Sequence, residues 1–341
     1  MKAMVLHEFG QPLVSEDLPI RDPVGSEVLI KVLAAGVCGT DLKIARGRNR
    51  NPKLPRVLGH EFAGEVVAVG PETRVRKVGD RGAVYFYITC GQCSYCLSGR
   101  ENLCSNRQGF FGVDRDGGFA EYCLVPEANL VPVPNGVSME EAAIISDAVG
   151  TSWHAVKTIA DLRPGQVAAI VGLGGLGLHG VQAARACGAT VIAVDTIPAK
   201  LEMAREQGAQ FTVDASLRDY AQEVQKIVGG TGVDAVLEYR GKLETIEPAY
   251  KCLKPRGTLV MVSYVDGNKT MSIPQRSIFS SELRIVGARG NTRLELAEVL
   301  QLTASGQIRP IIAQRMKLTE VNEAIDLLGT GQITGRIVLT P

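Results

Sequence analysis

Eight cysteines are spread unevenly along this chain, and four of them, Cys90, Cys93, Cys96 and Cys104, crowd into one short stretch. Two-residue gaps between the first three let a tight, glycine-containing loop, Cys90-Gly91-Gln92-Cys93-Ser94-Tyr95-Cys96, wrap thiolates around a single ion, and Cys104 returns to close a tetrahedron. Zinc is the ion that uses this donor set at this spacing. A site closed by four thiolates holds structure and leaves no position for a substrate, so the chemistry has to lie elsewhere. Disulfides are the alternative use of such cysteines, but the chain has none of the marks of a small secreted scaffold.

A second constellation is rich in glycine. Val171-Gly172-Leu173-Gly174-Gly175-Leu176-Gly177 lies between a run that reads as a buried strand and one that reads as a helix. Such a turn brings bare backbone N–H groups against a pyrophosphate: Gly172 allows the tight turn, Gly174 the close approach, and Gly177 the packing of helix on strand. Gly175 and Leu176 complete the turn. Asp195 ends the next strand, where a carboxylate accepts both hydroxyls of an adenosine ribose and repels a 2′-phosphate, so NAD is expected rather than NADP. Lys200, five residues on, either lies along that ribose or is a solvated helix charge; the sequence leaves both readings open.

Composition narrows the partners. Lysine and arginine (37) nearly balance aspartate and glutamate (36), which removes the electrostatic footprint of a nucleic-acid binder or a basic membrane face. A small molecule is the expected partner. Met1-Lys2-Ala3-Met4-Val5-Leu6-His7 turns polar before a signal-peptide core could form, and no apolar run approaches membrane-spanning length. The expected compartment is the cytoplasm.

The elements that must position these residues follow from the length and the local rhythm. At 341 residues the chain exceeds the usual size of one hydrophobic core. From the start to about Val133, short β-rich runs separated by Gly, Pro and Asp (Val28 to Leu33, Glu65 to Val69, Ala83 to Tyr87, Ala120 to Val125) predict a barrel-like antiparallel domain. Ser138 and Glu141 have the spacing of a capping box, which predicts a helix from Ser138 whose apolar run ends near Asp147. After Arg163-Pro164-Gly165, strand and helix patterns alternate through Gly287, which implies a parallel, doubly wound sheet. A helix from Leu294 to Thr303, a short helix around Val321 to Leu328 and a closing strand from Gly335 to Leu339 make up the tail. The expected division is 1–148, 149–289 and a returning segment 290–341.

Cys38 sits in Gly36-Val37-Cys38-Gly39-Thr40-Asp41 at the end of an apolar strand, and His60-Glu61 follows Gly59 just before another. Each alone is unremarkable. With the cysteine cluster, the glycine turn, the run from Gly59 to Gly70, Val78-Gly79-Asp80-Arg81 and the terminal Gly335-Arg336-Ile337-Val338-Leu339, these segments resemble the zinc-containing medium-chain dehydrogenase/reductase family of alcohol, polyol and threonine dehydrogenases. The resemblance spans essentially the whole chain. It implies an α/β protein with a GroES-like β-rich catalytic domain carrying both metals and a Rossmann domain inserted before the final segment. It also implies two Zn2+ per chain, NAD, and a homo-oligomer, tetramer or dimer.

The resemblance also implies roles for single residues. Cys38, His60 and Asp147 would bind a catalytic zinc, with Glu61 beside it as an exchangeable or outer carboxylate and Thr40 positioned to accept the alcohol proton. Thr151 would contact the nicotinamide, and Arg336 would approach the pyrophosphate. Asp147 departs from the cysteine of the animal alcohol dehydrogenases and matches the bacterial secondary-alcohol branch. Lys43 stands where many relatives place a histidine that ends a proton relay; a lysine there is expected to contact the cofactor instead. Asp41 is expected to hold the ligand loop together, and His154 to pack. The implied reaction transfers a hydride from an alcohol, secondary in this branch, to NAD, giving a ketone or aldehyde. A polyol, sugar or L-threonine dehydrogenase is the alternative within the family. A non-catalytic zinc- and nucleotide-binding protein is the alternative of another class, and it would need only the metal of the cysteine cluster.

Overall fold

A computed structural model describes residues 1–48, 52–265, 267 and 269–341. The chain divides into two compact units: Met1–Gly150 with Asn291–Gly306 and Ile312–Pro341, and Thr151–Gly290 with Gln307–Ile311.

The first unit is built around one long strand, Glu27–Val37. On one side it pairs antiparallel along its length with Glu61–Val69. Its other side is shared: the strand Tyr122–Pro126 pairs with its first half, and the C-terminal strand Arg336–Thr340 with its last residues. The strands Arg81–Val84, Leu130–Pro132 and Ile312–Lys317 extend this sheet, and a three-stranded sheet containing Lys2–Leu6 accompanies it. Glycines make the close pairing possible. A Cβ on Gly64 would collide with the carbonyl of Lys31 across the sheet. That bare residue lets the strand begin at Glu61, four residues before the alternation of side chains first becomes visible at Glu65.

The helix opened by Ser138 carries both bonds of its capping box: Ser138 Oγ accepts from the Glu141 N–H at 3.2 Å, and Glu141 accepts from the Ser138 N–H at 2.8 Å. It does not end near Asp147. The α-helix Met139–Ile144 continues as a π-helical turn, Ile145–Val149, then as Gly150–Trp153 and a second π-helical turn, His154–Ile159. Its apolar residues from Ala142 to Val156 are buried, so no polar face marks a stop near Asp147, and the widened turn is visible only in the backbone.

The second unit is the expected doubly wound sheet. Six parallel strands lie in the order Phe211–Asp214, Thr190–Asp195, Val167–Val171, Val233–Glu238, Leu253–Met261, Arg284–Gly287. In chain order this is 3-2-1-4-5-6, the Rossmann arrangement, with its switch point between the first and fourth strands. Ala169, Val171, Ile192, Val194 and Val236 form the buried centre of the sheet, as continuous apolar strands covered on both faces must. Among the described residues no helix is long and apolar enough to cross a membrane.

Candidate active site

Strand register assembles the first site. Gly36 pairs with Glu61 across one edge of the central strand, while Ile337 pairs with Val37 across the other. One step further in that register brings Arg336 beside Cys38. The helix Met139–Ile144 packs over the same strands so closely that a Cβ on Gly36 would strike both the Glu61 carboxylate and Ile144. The π-helical turn that follows presents Asp147. Four donor residues from three separate segments, Cys38, the adjacent His60 and Glu61, and Asp147, thus offer ligand atoms that all lie within 4.8 Å of one another, and all four residues are buried.

The distances suit zinc. Cys38 Sγ lies 3.6 Å and His60 Nε2 3.5 Å from Asp147 Oδ2. Ordinary zinc bond lengths at a tetrahedral angle call for edges of about 3.3–3.7 Å between such donors. Asp41 supports the arrangement from behind, as the sequence suggested. Its carboxylate accepts from the Cys38 N–H at 2.9 Å and the Gly59 N–H at 3.2 Å, and it faces His60 Nδ1 at 3.4 Å, leaving Nε2 for the cluster. Thr40 Oγ1 is 3.8 Å from Cys38 Sγ at the start of the helix Gly39–Ala45, which also carries the half-buried Lys43.

The charges are strongly coupled. Burial alone would raise the Cys38 thiol, but Arg336 and His60 outweigh it and hold its pKa below the usual thiol value. Burial opposes a charged imidazole at His60, yet Asp41 and Cys38 more than compensate and raise it well above the usual value. Glu61 is pushed well above the carboxylate range, chiefly by burial.

Arg336, which the resemblance places near the pyrophosphate, has its Nη2 at 2.7 Å from Glu61 Oε1 and 3.3 Å from Cys38 Sγ, with Asp147 Oδ2 at 3.7 Å. The guanidinium is only 3% exposed. Strand register produces this placement, because Arg336 opens the strand hydrogen-bonded to the end of the Cys38 strand.

Sequence reasoning also missed Asn291. Its Nδ2 donates to the Ser146 carbonyl at 2.9 Å, its own carbonyl accepts from Tyr85 Oη at 3.0 Å, and a Cβ on Gly150 would collide with it. Asn291 therefore clamps both ends of the π-helical turn that carries Asp147. Only its position just before the Thr292–Glu295 capping box hinted at a structured role.

The cysteine lobe is a second, separate cluster. Cys93 and Cys96 sulfurs are 3.5 Å apart, as are Cys90 and Cys104, with 3.9 Å between Cys93 and Cys104 and 4.0 Å between Cys90 and Cys96. A zinc tetrathiolate has edges of about 3.8 Å, so this spacing fits one metal and is far too long for disulfides. Backbone N–H groups of Cys96 and Ser105 point at Cys93 and pull its pKa down to about 5, which favours the thiolate a metal requires.

In the second unit the glycine turn has the form its spacing predicts. Gly172 takes a φ of +90°, a Cβ on Gly177 would strike the Gly172 carbonyl, and Gly174 faces open space. Gly175 and Leu176 lead into the helix Gly177–Ala186. Asp195 is tied to this turn: its carboxylate accepts from the N–H groups of Leu173 at 2.7 Å, Thr196 at 2.8 Å and Ile197 at 3.1 Å. The carboxylate is thus held at the end of its strand with lone pairs to spare. Lys200 is 7% exposed; burial lowers its pKa and the nearby Asp195 opposes that, so it is no solvated helix charge. Thr151 and His154 are buried in the helical run after Asp147.

A β-rich unit holding two metal-type clusters, joined in one chain to a 3-2-1-4-5-6 sheet with a glycine turn and a strand-end aspartate, defines a two-domain, nucleotide-dependent oxidoreductase class. The model of the alcohol dehydrogenase GroES-like domain matches residues 25–135, and that of the zinc-binding dehydrogenase domain matches residues 175–305. An alcohol dehydrogenase of Geobacillus stearothermophilus is 39% identical over 99% of both chains. An NAD-dependent alcohol dehydrogenase of Sulfurisphaera tokodaii is 36% identical over the full length of both. Among solved structures, the protein AibC superposes with a TM-score of 0.94 at 38% identity, covering 100% of this chain and 96% of the other. The chain belongs to the zinc-containing medium-chain dehydrogenase/reductase family.

Proposed function

We propose that this protein is a zinc-dependent alcohol dehydrogenase that oxidises an alcohol, secondary in preference to primary, with NAD as hydride acceptor, working as a homo-oligomer in the cytoplasm. The observation that carries the reading is the buried Cys38–His60–Asp147 geometry, with edges of zinc length and a supporting carboxylate behind the histidine. Alcohol dehydrogenase relatives of matching length support it.

Cys38, His60 and Asp147 would hold a zinc ion, which would supply the Lewis acidity that lets an alcohol proton leave near neutral pH. Thr40 Oγ1, beside Cys38, takes that proton and passes it outward. NAD held in the second unit would supply the hydride acceptor, so that the products would be NADH, a ketone and one proton. Asp41 keeps the His60 ring in the orientation that points Nε2 at the cluster. Cys38 and Asp147 would each bring one negative charge, and the two together would offset the charge of a divalent ion.

The glycine turn cradles the pyrophosphate with its N–H groups, Asp195 accepts the adenosine ribose hydroxyls, and Lys200 lies beside that carboxylate. Thr151 contacts the nicotinamide. The lobe metal holds structure alone. The test is NADH formation across primary alcohols, secondary alcohols, polyols and threonine: the highest kcat/KM is expected with a secondary alcohol. No NADH from any alcohol by zinc-loaded protein would contradict the proposal.

A further inference from the structure

Asp147 reaches the mixed cluster from a turn of unusual register, and the hydrogen bonds around it show what sets that register. In an α-helix each N–H bonds the carbonyl four residues back, so Gly150 would bond Ser146 and Asp147 would bond Ala143. Here the Gly150 N–H is directed instead to the Ile145 and Asp147 carbonyls. Side chains take the two acceptors: Asn291 Nδ2 donates to the Ser146 carbonyl at 2.9 Å, and Ser146 Oγ donates to the Ala143 carbonyl at 2.6 Å. Gly150 makes the first of these bonds possible, because a Cβ there would strike the Asn291 amide nitrogen.

Stability alone would not choose asparagine for this place. Asn291 is fully buried, and among the described residues its Oδ1 has no hydrogen-bond partner. An unpaired buried carbonyl destabilises a fold, so an apolar side chain of the same size would serve packing better. What such a side chain cannot supply is an N–H group at the Ser146 carbonyl. The Tyr85 hydroxyl, which donates to the Asn291 main-chain carbonyl at 3.0 Å, and the Thr292–Glu295 capping box beside it hold the amide in place.

We propose that Asn291 is a positioning residue that fixes the register of the turn Ile145–Val149 and thereby holds the Asp147 carboxylate at the metal cluster. Once the donated bond is gone, the Ser146 carbonyl regains a partner when the turn tightens to α-helical register. An α-helix advances about 100° per residue, so tightening by one residue swings Asp147 away from Cys38 and His60. This inference rests on the metal reading of the site given above.

The test uses the full chain with cobalt(II) in place of zinc, because its visible bands separate a mixed-ligand ion from a tetrathiolate one without any turnover. Asn291→Leu keeps the volume and removes the donor. It should melt close to the unmodified chain, while the mixed-ligand bands change and chelator extraction of that ion quickens by about tenfold or more, the scale on which groups behind the ligands move metal affinity. The lobe ion should be unaffected. Gly150→Ala should push the amide aside, giving the same cobalt change together with a lower Tm. Adding Asn291→Ala to Gly150→Ala removes the crowding, so Tm should recover while the cobalt change stays. Unaltered bands and extraction in Asn291→Leu overturn the proposal. So does an equal change in the lobe ion, the mark of a general loosening, or a return of tight cobalt binding in the double variant, the mark of crowding alone. Should Asn291→Leu fail to fold, Asn291→Asp, of the same shape and without the N–H donor, carries the same cobalt expectations and the same refutation. Uptake of cobalt by the cysteine lobe alone in the unmodified chain would overturn the metal reading itself, a failure distinct from any of these.

Discussion

The two metal-type clusters of the first unit are opposites in construction. The lobe takes its four donors from one loop, uses a single donor type and lies half exposed, with Cys90, Cys93 and Cys96 partly open to solvent. The second cluster takes its donors from two strands and a π-helical turn, mixes thiolate, imidazole and carboxylate, and is buried throughout. The lobe has only backbone N–H groups, such as those aimed at Cys93, to offset the charge of its thiolates; the mixed cluster carries Arg336 among its anions and Asp41 behind its histidine. The difference teaches what each is for. A closed, symmetrical set of thiolates fills every position of one ion and stops there, while a mixed set assembled by the sheet suits a site that must exchange a ligand.

Substitutions can break this comparison at either end. The largest effect is expected from Asp147→Ala or Cys38→Ala, which remove a ligand of the open site. The Lewis acidity lost is worth several kcal/mol, so turnover should fall by roughly 10³-fold or more while NADH binding and the fold persist. Steady-state kinetics beside a fluorescence titration with NADH checks both halves. Cys104→Ser should do the opposite. A structural metal contributes folding free energy, so the melting temperature should drop by several degrees, about 2 kcal/mol or more, while the folded fraction keeps its kcat/KM. Unchanged thermal stability would remove the structural role of the lobe.

Asp41→Ala sharpens the comparison, because it acts on one cluster only. Losing the group that orients His60 should weaken metal binding at the mixed site by about 10–100-fold and leave the lobe untouched, as chelator competition would show. Asp195→Ala probes the unit without metal. Removing an ionised acceptor held by three N–H groups should raise the KM for NAD about tenfold and improve relative use of NADP, with both metals retained. A shift in metal content in this variant would mean that Asp195 does more than recognise a ribose.

The same contrast explains what the sequence could disclose. The lobe and the glycine turn are local: their function is written in spacings of two and three residues, and both appear in the structure as read. The strands of the second unit were legible because continuous apolar runs alternate with amphipathic helices. The mixed cluster was not legible from spacing. Cys38, His60 and Asp147 were found through the resemblance to a family, since nothing in their immediate surroundings sets them apart. The contacts of Arg336 with the cluster and of Asn291 with the π-helical turn were not legible, because strand register and helix packing decide them, and neither leaves a periodic trace. The π-helical turn escaped too: Ile145-Ser146-Asp147-Ala148-Val149 is an ordinary helical sequence, and the Asn291 bond to the Ser146 carbonyl within it comes from a distant segment.

The most direct test of the central claim, that the buried mixed cluster is the catalytic metal site and the lobe only structural, is the zinc content and the turnover of Asp147→Ala measured on one preparation beside the unmodified chain. The two donor clusters predict close to two zinc ions per unmodified chain and one in the variant, with the lobe filled and alcohol-dependent NADH formation lost. Alcohol-dependent NADH formation at the unmodified rate by a variant holding only the lobe zinc would contradict the account.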